Sequence, residues 1–161
     1  MEDRDLEAAF KLFKDNLNKY KLTIDFKTLN QFKDYFGNRE KNGINSGPIY
    51  TLVVVDDTDQ VTDWVSFYHI PYKVKRSKHI LYPANILRLE RGKSDLIDLV
   101  NNSFLAAKEL GFDFVNCIEM FGINESVPEF KMCYGNVDMI YYAYNYNCGK
   151  INPNEMGLIL P

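Results

Sequence analysis

The chain closes on Gly157-Leu158-Ile159-Leu160-Pro161, a glycine followed by an apolar run that reaches the terminus. Chain ends are ordinarily polar and frayed unless something ties them down. An apolar ending therefore asks for a sheet that takes in the last strand. That strand would carry the terminal α-carboxylate towards the protein, where an ionised group costs desolvation energy unless it is paired or used. Two readings stay open: an edge strand whose carboxylate simply reaches solvent, and a chain end that serves as a base.

The rest of the pattern says what the sheet contains. Leu6, Ala9, Phe10, Phe13, Leu17 and Tyr20 share one helical face, with Asp3 and Asp5 suited to its start. A second, shorter helix is expected to carry Phe26, Leu29, Phe32 and Phe36, with Gly37 as its stop. Ile49–Val55 and Val61–Tyr68 read as a hairpin around the turn at residues 56–59, and Pro71 ends the second strand. Residues 73–79 form a basic loop, and 84–89 a third strand. The strongest helix runs from Leu96 to Ala107, with Ser94 as expected N-cap and Gly111 at its C-terminal end. A strand at 114–118, a short helix at 125–130, and strands at 139–146 and 156–160 complete the order. Helices before and after a run of strands predict an α/β chain with a mixed sheet covered by helices.

At 161 residues and 46% hydrophobic, the chain is long enough to bury one ordinary core, so residues 1–161 are expected to form one domain. A net charge of −3 makes nucleic acid or an anionic membrane an unfavoured partner for the chain as a whole. Cys117, Cys133 and Cys148 lack metal-ligand spacing, and no metal site is expected. Their odd number, with no secretory segment and no transmembrane run, points to reduced thiols in the cytoplasm. His69 and His79 have no Ser or Cys partner at a telling spacing and read as structural or solvated.

The element order matches the acyl-CoA N-acyltransferase (GNAT-like) fold, in which backbone amides at the start of the central helix cradle the CoA pyrophosphate. The corresponding loop here, Arg88-Leu89-Glu90-Arg91-Gly92-Lys93-Ser94, has one glycine and places Glu90 beside the phosphate position. It reads as a solvated charged loop more readily than as a CoA site.

Five motifs narrow the family. Thr62-Asp63-Trp64-Val65-Ser66-Phe67-Tyr68-His69-Ile70-Pro71 resembles the T-D-F-x-S-F-Y-x-L-P segment of eukaryotic glycylpeptide N-myristoyltransferases. Asp95-Leu96-Ile97-Asp98-Leu99-Val100 resembles their P-L-L-D-L-M, and Ala106-Ala107-Lys108-Glu109-Leu110-Gly111-Phe112-Asp113-Phe114-Val115-Asn116 their L-A-K-x-x-G-F-D-V-F-N. Tyr141-Tyr142-Ala143-Tyr144-Asn145-Tyr146 is similar to Y-Y-L-Y-N-W, and Met156-Gly157-Leu158-Ile159-Leu160 to the closing V-G-L-V-L. The resemblance spans nearly the whole chain, but only the C-terminal half of the family's two-fold architecture.

That resemblance implies a division of labour. The family's first half binds myristoyl-CoA; its second half builds much of the peptide groove and ends in a carboxylate that deprotonates the substrate's N-terminal glycine. On that basis the carboxylate of Pro161 takes the place of the base, ionised at neutral pH with a reference pKa of about 3.5. Leu160 and Tyr68 are expected to line the peptide. In the run Ala84-Asn85-Ile86-Leu87-Arg88, aligned with A-Y-S-F-Y, Asn85 and Ile86 fall at the peptide, and Ile86 replaces a serine. In Gly135-Asn136-Val137-Asp138, aligned with G-D-G-N, Asn136 stands at the acidic position and Asp138 is a candidate substitute two residues on.

The implied function is transfer of myristate from myristoyl-CoA to an N-terminal glycine, with no tightly bound cofactor and with the acyl-CoA held mainly outside this half. The expected partners are N-terminal glycine peptides and either a second copy of the chain or a separate acyl-CoA-binding half. The alternatives are a non-catalytic module that binds peptides or a transferase, and a free-standing acyltransferase using its own degenerate loop.

Overall fold

The computed structural model describes residues 1–37, 47–123 and 126–158. In chain order its elements are α1 (Leu6–Asn16), β1 (Leu22–Thr23), α2 (Leu29–Phe36), β2 (Ile49–Val55), β3 (Val61–Tyr68), β4 (Tyr72–Lys73), β5 (Ile80–Leu81), β6 (Pro83–Arg91), α3 (Leu96–Glu109), β7 (Phe114–Asn116) and β8 (Met156–Gly157). The central sheet has the order β2-β3-β6-β7, antiparallel except for the parallel β6–β7 pair. Two minor sheets flank it, a β4–β5 hairpin and a parallel β1–β8 pair.

Both faces of the sheet are covered, which is why β3 is buried along almost its whole length. On one face Tyr50, Val65, Phe67, Ala84, Ile86 and Leu89 pack against Leu99, Val100 and Ala107 of α3. On the other, Trp64 and Leu87 meet Leu6, Ala9 and Phe13 of α1 and Phe32 and Phe36 of α2. Phe32 is fully buried, with the rings of Phe10, Phe13, Phe36 and Trp64 at centroid distances of 5.2–5.7 Å. The Trp64 indole N–H donates to the Ala9 carbonyl at 3.2 Å, fastening α1 to the sheet while satisfying a buried donor.

The register between β3 and β6 shifts at Ser66/Phe67, so Phe67 opposes Ile86 while Ser66 opposes Arg88. Leu87 is the extra residue of this bulge. Such an insertion breaks the strict alternation of faces, and Leu87, Arg88 and Glu90 all end up on the α1 side. A polar pair is thereby placed inside the protein.

Several element boundaries differ from expectation for local reasons. The second helix begins at Leu29, because Thr28 caps it by accepting from the Gln31 amide at 3.3 Å; Phe26 is outside the helix yet still buried. The cap of α3 is Asp95, which accepts from the Ile97 amide at 2.8 Å, and Ser94 is engaged elsewhere. At the other end Gly111 takes φ +91°, with Phe112 N–H donating to Ala107 and Gly111 N–H to Lys108, the Schellman pattern a glycine permits. The strand at 114–118 is trimmed to β7, and β6 extends one residue before and two beyond the expected 84–89. Residues 126–131 are successive turns, not a helix, and Pro128 lacks the amide a helix would need there. The largest correction is 139–146, which pairs with no described strand. Its side chains Tyr142 and Tyr144 are 86% and 89% exposed and not packed on a sheet. Of the 156–160 strand, β8 is present and 159–160 lie outside the described residues.

Phe32→Ala is expected to cost about 3–5 kcal/mol, the range for deleting a buried ring. Urea titration followed by the fluorescence of Trp64, the chain's only tryptophan, measures it directly.

Candidate functional site

The end of the chain is held at three described points. β8 pairs in parallel with β1, matching Met156 to Leu22 and Gly157 to Thr23. The Gly157 carbonyl accepts from the Thr23 hydroxyl at 3.1 Å and from Arg88 Nη1. The Leu158 carbonyl accepts from the Tyr141 hydroxyl at 3.1 Å. Glycine at 157 is required by this crowding: a Cβ there would meet Arg88 Nη1 and the Tyr20 ring at 2.7 Å and the Thr23 hydroxyl at 2.9 Å.

Arg88 organises the anchor. It is 1% exposed, and its guanidinium lies 4.6–5.7 Å from the ring centroids of Tyr20, Phe13 and Phe121, an aromatic cage around a cation. Its Nε donates to Glu90 Oε1 at 2.6 Å; Nη2 is equally close to that oxygen but without hydrogen-bond alignment. Nη1 also donates to the Thr23 hydroxyl at 2.8 Å. Glu90 Oε2 accepts from Asn16 of α1 at 2.7 Å. Burial pushes the Glu90 carboxyl up, with Arg88 and Asn16 opposing it. Burial, then the charge of Glu90, pushes the Tyr20 phenol up to about 12, so it stays neutral.

The expected peptide residues fall in different places. Tyr68 closes β3, and burial raises its phenol. Tyr141 lies close enough to Tyr68 that its phenol is raised by burial and then by its neighbour. Asn85 donates to the Tyr68 carbonyl at 3.2 Å and accepts from Asn116 at 3.1 Å. Tyr68, Asn85, Tyr141 and the Leu158 backbone therefore come together at one end of the sheet. Ile86 does not join them at the surface; it is 2% exposed and packs in the α3 core. Asn136 and Asp138 are exposed on the unpaired 134–146 ribbon. Leu160 and Pro161 lie outside the described residues. His69 is half-buried among the rings of Tyr50, Tyr82 and Phe112, and His79 is exposed in the β4–β5 turn. Cys117 is half-buried, and desolvation raises its thiol to about 11, which keeps it unreactive at neutral pH.

The loop leading into α3 carries a built-in anion. Asp63 of β3 is fully buried and its Oδ1 accepts from the amides of Gly92, Lys93 and Ser94 at 2.8, 3.2 and 3.0 Å. Its Oδ2 accepts from the Ser94 hydroxyl at 2.7 Å. Burial alone would raise this carboxyl; the bonds from Thr62, Ser94 and Gly92 outweigh it and hold it below the ordinary range. The three amides of the loop leading into α3 are thus already bonded to a carboxylate.

Residues 1–159 match the model of the family described as Myristoyl-CoA:protein N-myristoyltransferase, C-terminal domain. The chain belongs to this family. Among its relatives are the glycylpeptide N-tetradecanoyltransferases of Drosophila melanogaster, 26% identical over 98% of this chain and 32% of theirs, and of Dictyostelium discoideum, 30% identical over 92% and 35%. The chain spans about a third of the length of these relatives. A crystal structure of Saccharomyces cerevisiae N-myristoyltransferase with bound myristoyl-CoA and inhibitors superposes with a TM-score of 0.69 at 19% identity, over 81% of this chain and 34% of that one. An aminoglycoside acetyltransferase from a soil metagenomic sample covers 90% of this chain and 93% of its own at TM-score 0.60 and 13% identity. The fold is therefore a mixed α/β, acyl-CoA N-acyltransferase-like one.

Within this N-myristoyltransferase C-terminal fold, the sequence reading missed Arg88 and Tyr141 as anchors of the chain end. Arg88 ends the Ala84–Arg88 run, where the family motif has Tyr, and an arginine between leucines on a strand is the available signal. Tyr141 was visible only as part of an alternating run.

Two outcomes test the site. Arg88→Met leaves Glu90 buried without its cation and is expected to cost about 3–5 kcal/mol, with Arg88→Met/Glu90→Gln milder than the single change. A carboxyl whose folded pKa is raised binds protons in the folded state when the unfolded one does not. Stability of Arg88→Met should therefore fall more steeply than wild type as pH rises from the ordinary carboxylate range. Asp63→Ala strands three loop amides and is expected to cost about 2–4 kcal/mol. Because the folded pKa of Asp63 is depressed, its contribution is full above the ordinary carboxylate pKa and lost as pH falls through the lower folded value. The gap between wild type and Asp63→Ala should accordingly close in acid, as read by urea midpoints across pH.

Proposed function

We propose that residues 1–161 form the peptide-binding, proton-accepting half of a glycylpeptide N-myristoyltransferase. In this reading the α-carboxylate of Pro161 takes a proton from the substrate's N-terminal glycine ammonium. The freed amine attacks the thioester carbonyl of myristoyl-CoA held by another half, forming the amide and releasing CoA. The observation that carries the reading is the anchoring of Gly157 and Leu158 by Arg88, Thr23 and Tyr141, which gives the chain end a rigid foundation. A base must be held within hydrogen-bond reach of its proton, and a frayed terminus would not be. Tyr68 and Asn85, beside that anchor, line the peptide with Leu160; Ile86 shapes the groove from behind. Asn136 and Asp138 meet a side chain further along the peptide.

The acyl donor does not fit the one amide nest the fold would offer it, since the Asp63 carboxylate occupies that position and would repel a phosphate. Myristoyl-CoA is accordingly held by a partner. The exposed ribbon bearing Tyr134, Val137, Ile140, Tyr142 and Tyr144 is suited to being covered by that partner, a separate acyl-CoA-binding half or a second copy of the chain. We place the protein in the cytoplasm, where its free cysteines stay reduced. Among the described residues no helix is long and apolar enough to cross a membrane.

A second reading is a non-catalytic module that binds glycine-first peptides. Ile86 in place of a serine and Asn136 in place of an acid favour it. The two are separated by supplying the chain with myristoyl-CoA, a glycine-first peptide and the separately expressed N-terminal two-thirds of the Dictyostelium relative. A transferase half restores peptide acylation, and one extra residue appended after Pro161 lowers turnover by about 100-fold or more while leaving peptide affinity intact. Peptide binding without turnover under the same conditions would overturn the transferase reading. Calorimetric titration of the chain alone with myristoyl-CoA is expected to show no binding.

A further inference from the structure

The net charge of −3 hides an uneven distribution. Between Trp64 and Leu89 there is no Asp or Glu, and Lys73, Lys75, Arg76 and Lys78 crowd into six residues of that stretch. The structure gathers them on one projection. β4 and β5 pair only with each other, Tyr72 opposite Leu81 and Lys73 opposite Ile80, so this hairpin stands off the central sheet. Its turn is well formed: Val74 N–H donates to the His79 carbonyl at 3.1 Å, Ser77 N–H to Val74 at 3.1 Å, and Arg76 sits at φ +62°. At its base the Tyr72 ring meets Phe114 of β7 edge-on at 6.3 Å.

Among the described residues none of the four cations is in an ion pair, although cations elsewhere, such as Lys14, Lys21, Lys33 and Lys93, are. Beside them are apolar side chains left in water: Ile70 at 59%, Ile80 at 51% and Tyr72 at 46% exposure. Cations and apolar groups thus share one hairpin, with the lysine stems able to lie along the apolar surface and present their ammonium groups outward.

We propose that the β4–β5 hairpin is a docking surface for an anionic lipid bilayer. Its cations meet acidic headgroups, and Ile70, Tyr72 and Ile80 settle at the interface. Two physical points select a bilayer over RNA. Aliphatic side chains gain burial at a headgroup boundary and find no counterpart on a phosphate backbone. A tyrosine beside a lysine, as Tyr72 is beside Lys73, is also suited to a membrane–water interface. The inference does not depend on acyl transfer, because binding needs neither peptide nor acyl-CoA.

The test is co-sedimentation of the full chain with phosphatidylcholine vesicles, with and without phosphatidylserine. Wild type is expected to bind only the serine-containing vesicles and to be released by high salt. Lys75→Glu/Arg76→Glu, two exposed turn positions, should weaken the partition by at least about twenty-fold, given about fivefold per cation. Ile80→Ser should weaken it without changing the salt dependence. Thermal melts of both variants matching wild type keep the comparison free of folding effects. Equal binding to both vesicle types, binding that survives the charge reversal, or poly(U) binding by the same residues without vesicle binding would each overturn the proposal.

Discussion

The buried pair of Arg88 and Glu90 is the contact on which the arrangement of the chain's two ends depends. Through it β6 reaches α1 by way of Asn16, β1 by way of Thr23, and β8 by way of the Gly157 carbonyl. Two charges removed from water are expensive, and their attraction offsets that only when the remaining donors and acceptors are satisfied. Here the aromatic cage and the Thr23, Gly157 and Asn16 bonds perform that role. An apolar pair of similar volume could fill the space, but it could not specify which carbonyl of the closing strand sits over β6. The polar pair favours the register that sets Gly157 against Thr23.

The same strand prepares a second constraint on its opposite side. The bulge at Leu87 turns Arg88 and Glu90 towards α1, while Leu89 keeps its place in the α3 core. β6 then runs straight into the loop at 92–94, where Asp63 gathers the amides. The chain presents that loop to its own β3. A carboxylate there stabilises the start of α3 by giving its leading amides an acceptor.

How much of this was legible in the residues follows from the range of the interactions involved. The apolar periodicities of α1, α3, β2 and β3 report local burial, and those elements are where the pattern places them, except that α1 ends at Asn16 and Tyr20 of the expected helical face is in extended chain. Gly111 signals its own backbone conformation and closes α3 as expected. Asp63 was visible within a motif, but its partners at 92–94 are about thirty residues away, and Ser94 was read as a helix cap because its hydroxyl's true acceptor lies on another strand. Arg88 looked like part of a solvated loop for a related reason. A bulge, which periodicity does not announce, moves it to the inside. Gly157 and Leu158 are tied by Thr23, Arg88 and Tyr141, which are distant in sequence and carry no local signal of that role.

The segment at 139–146 fails for the opposite reason, and its failure is informative. Alternating tyrosines have high strand propensity, but that propensity measures how well side chains pack on a half-buried sheet with neighbours to pair with. β7 offers only three residues of edge, and the ribbon stays unpaired with the rings of Tyr142, Tyr144 and Tyr146 in water. Both faces of the central sheet are already covered by α1, α2 and α3, so no internal surface is left to receive it. The relatives extend for roughly twice as much chain again beyond the part matched here. A strand-forming sequence without a strand to join keeps its propensity and forms no sheet, because pairing and burial supply what propensity measures.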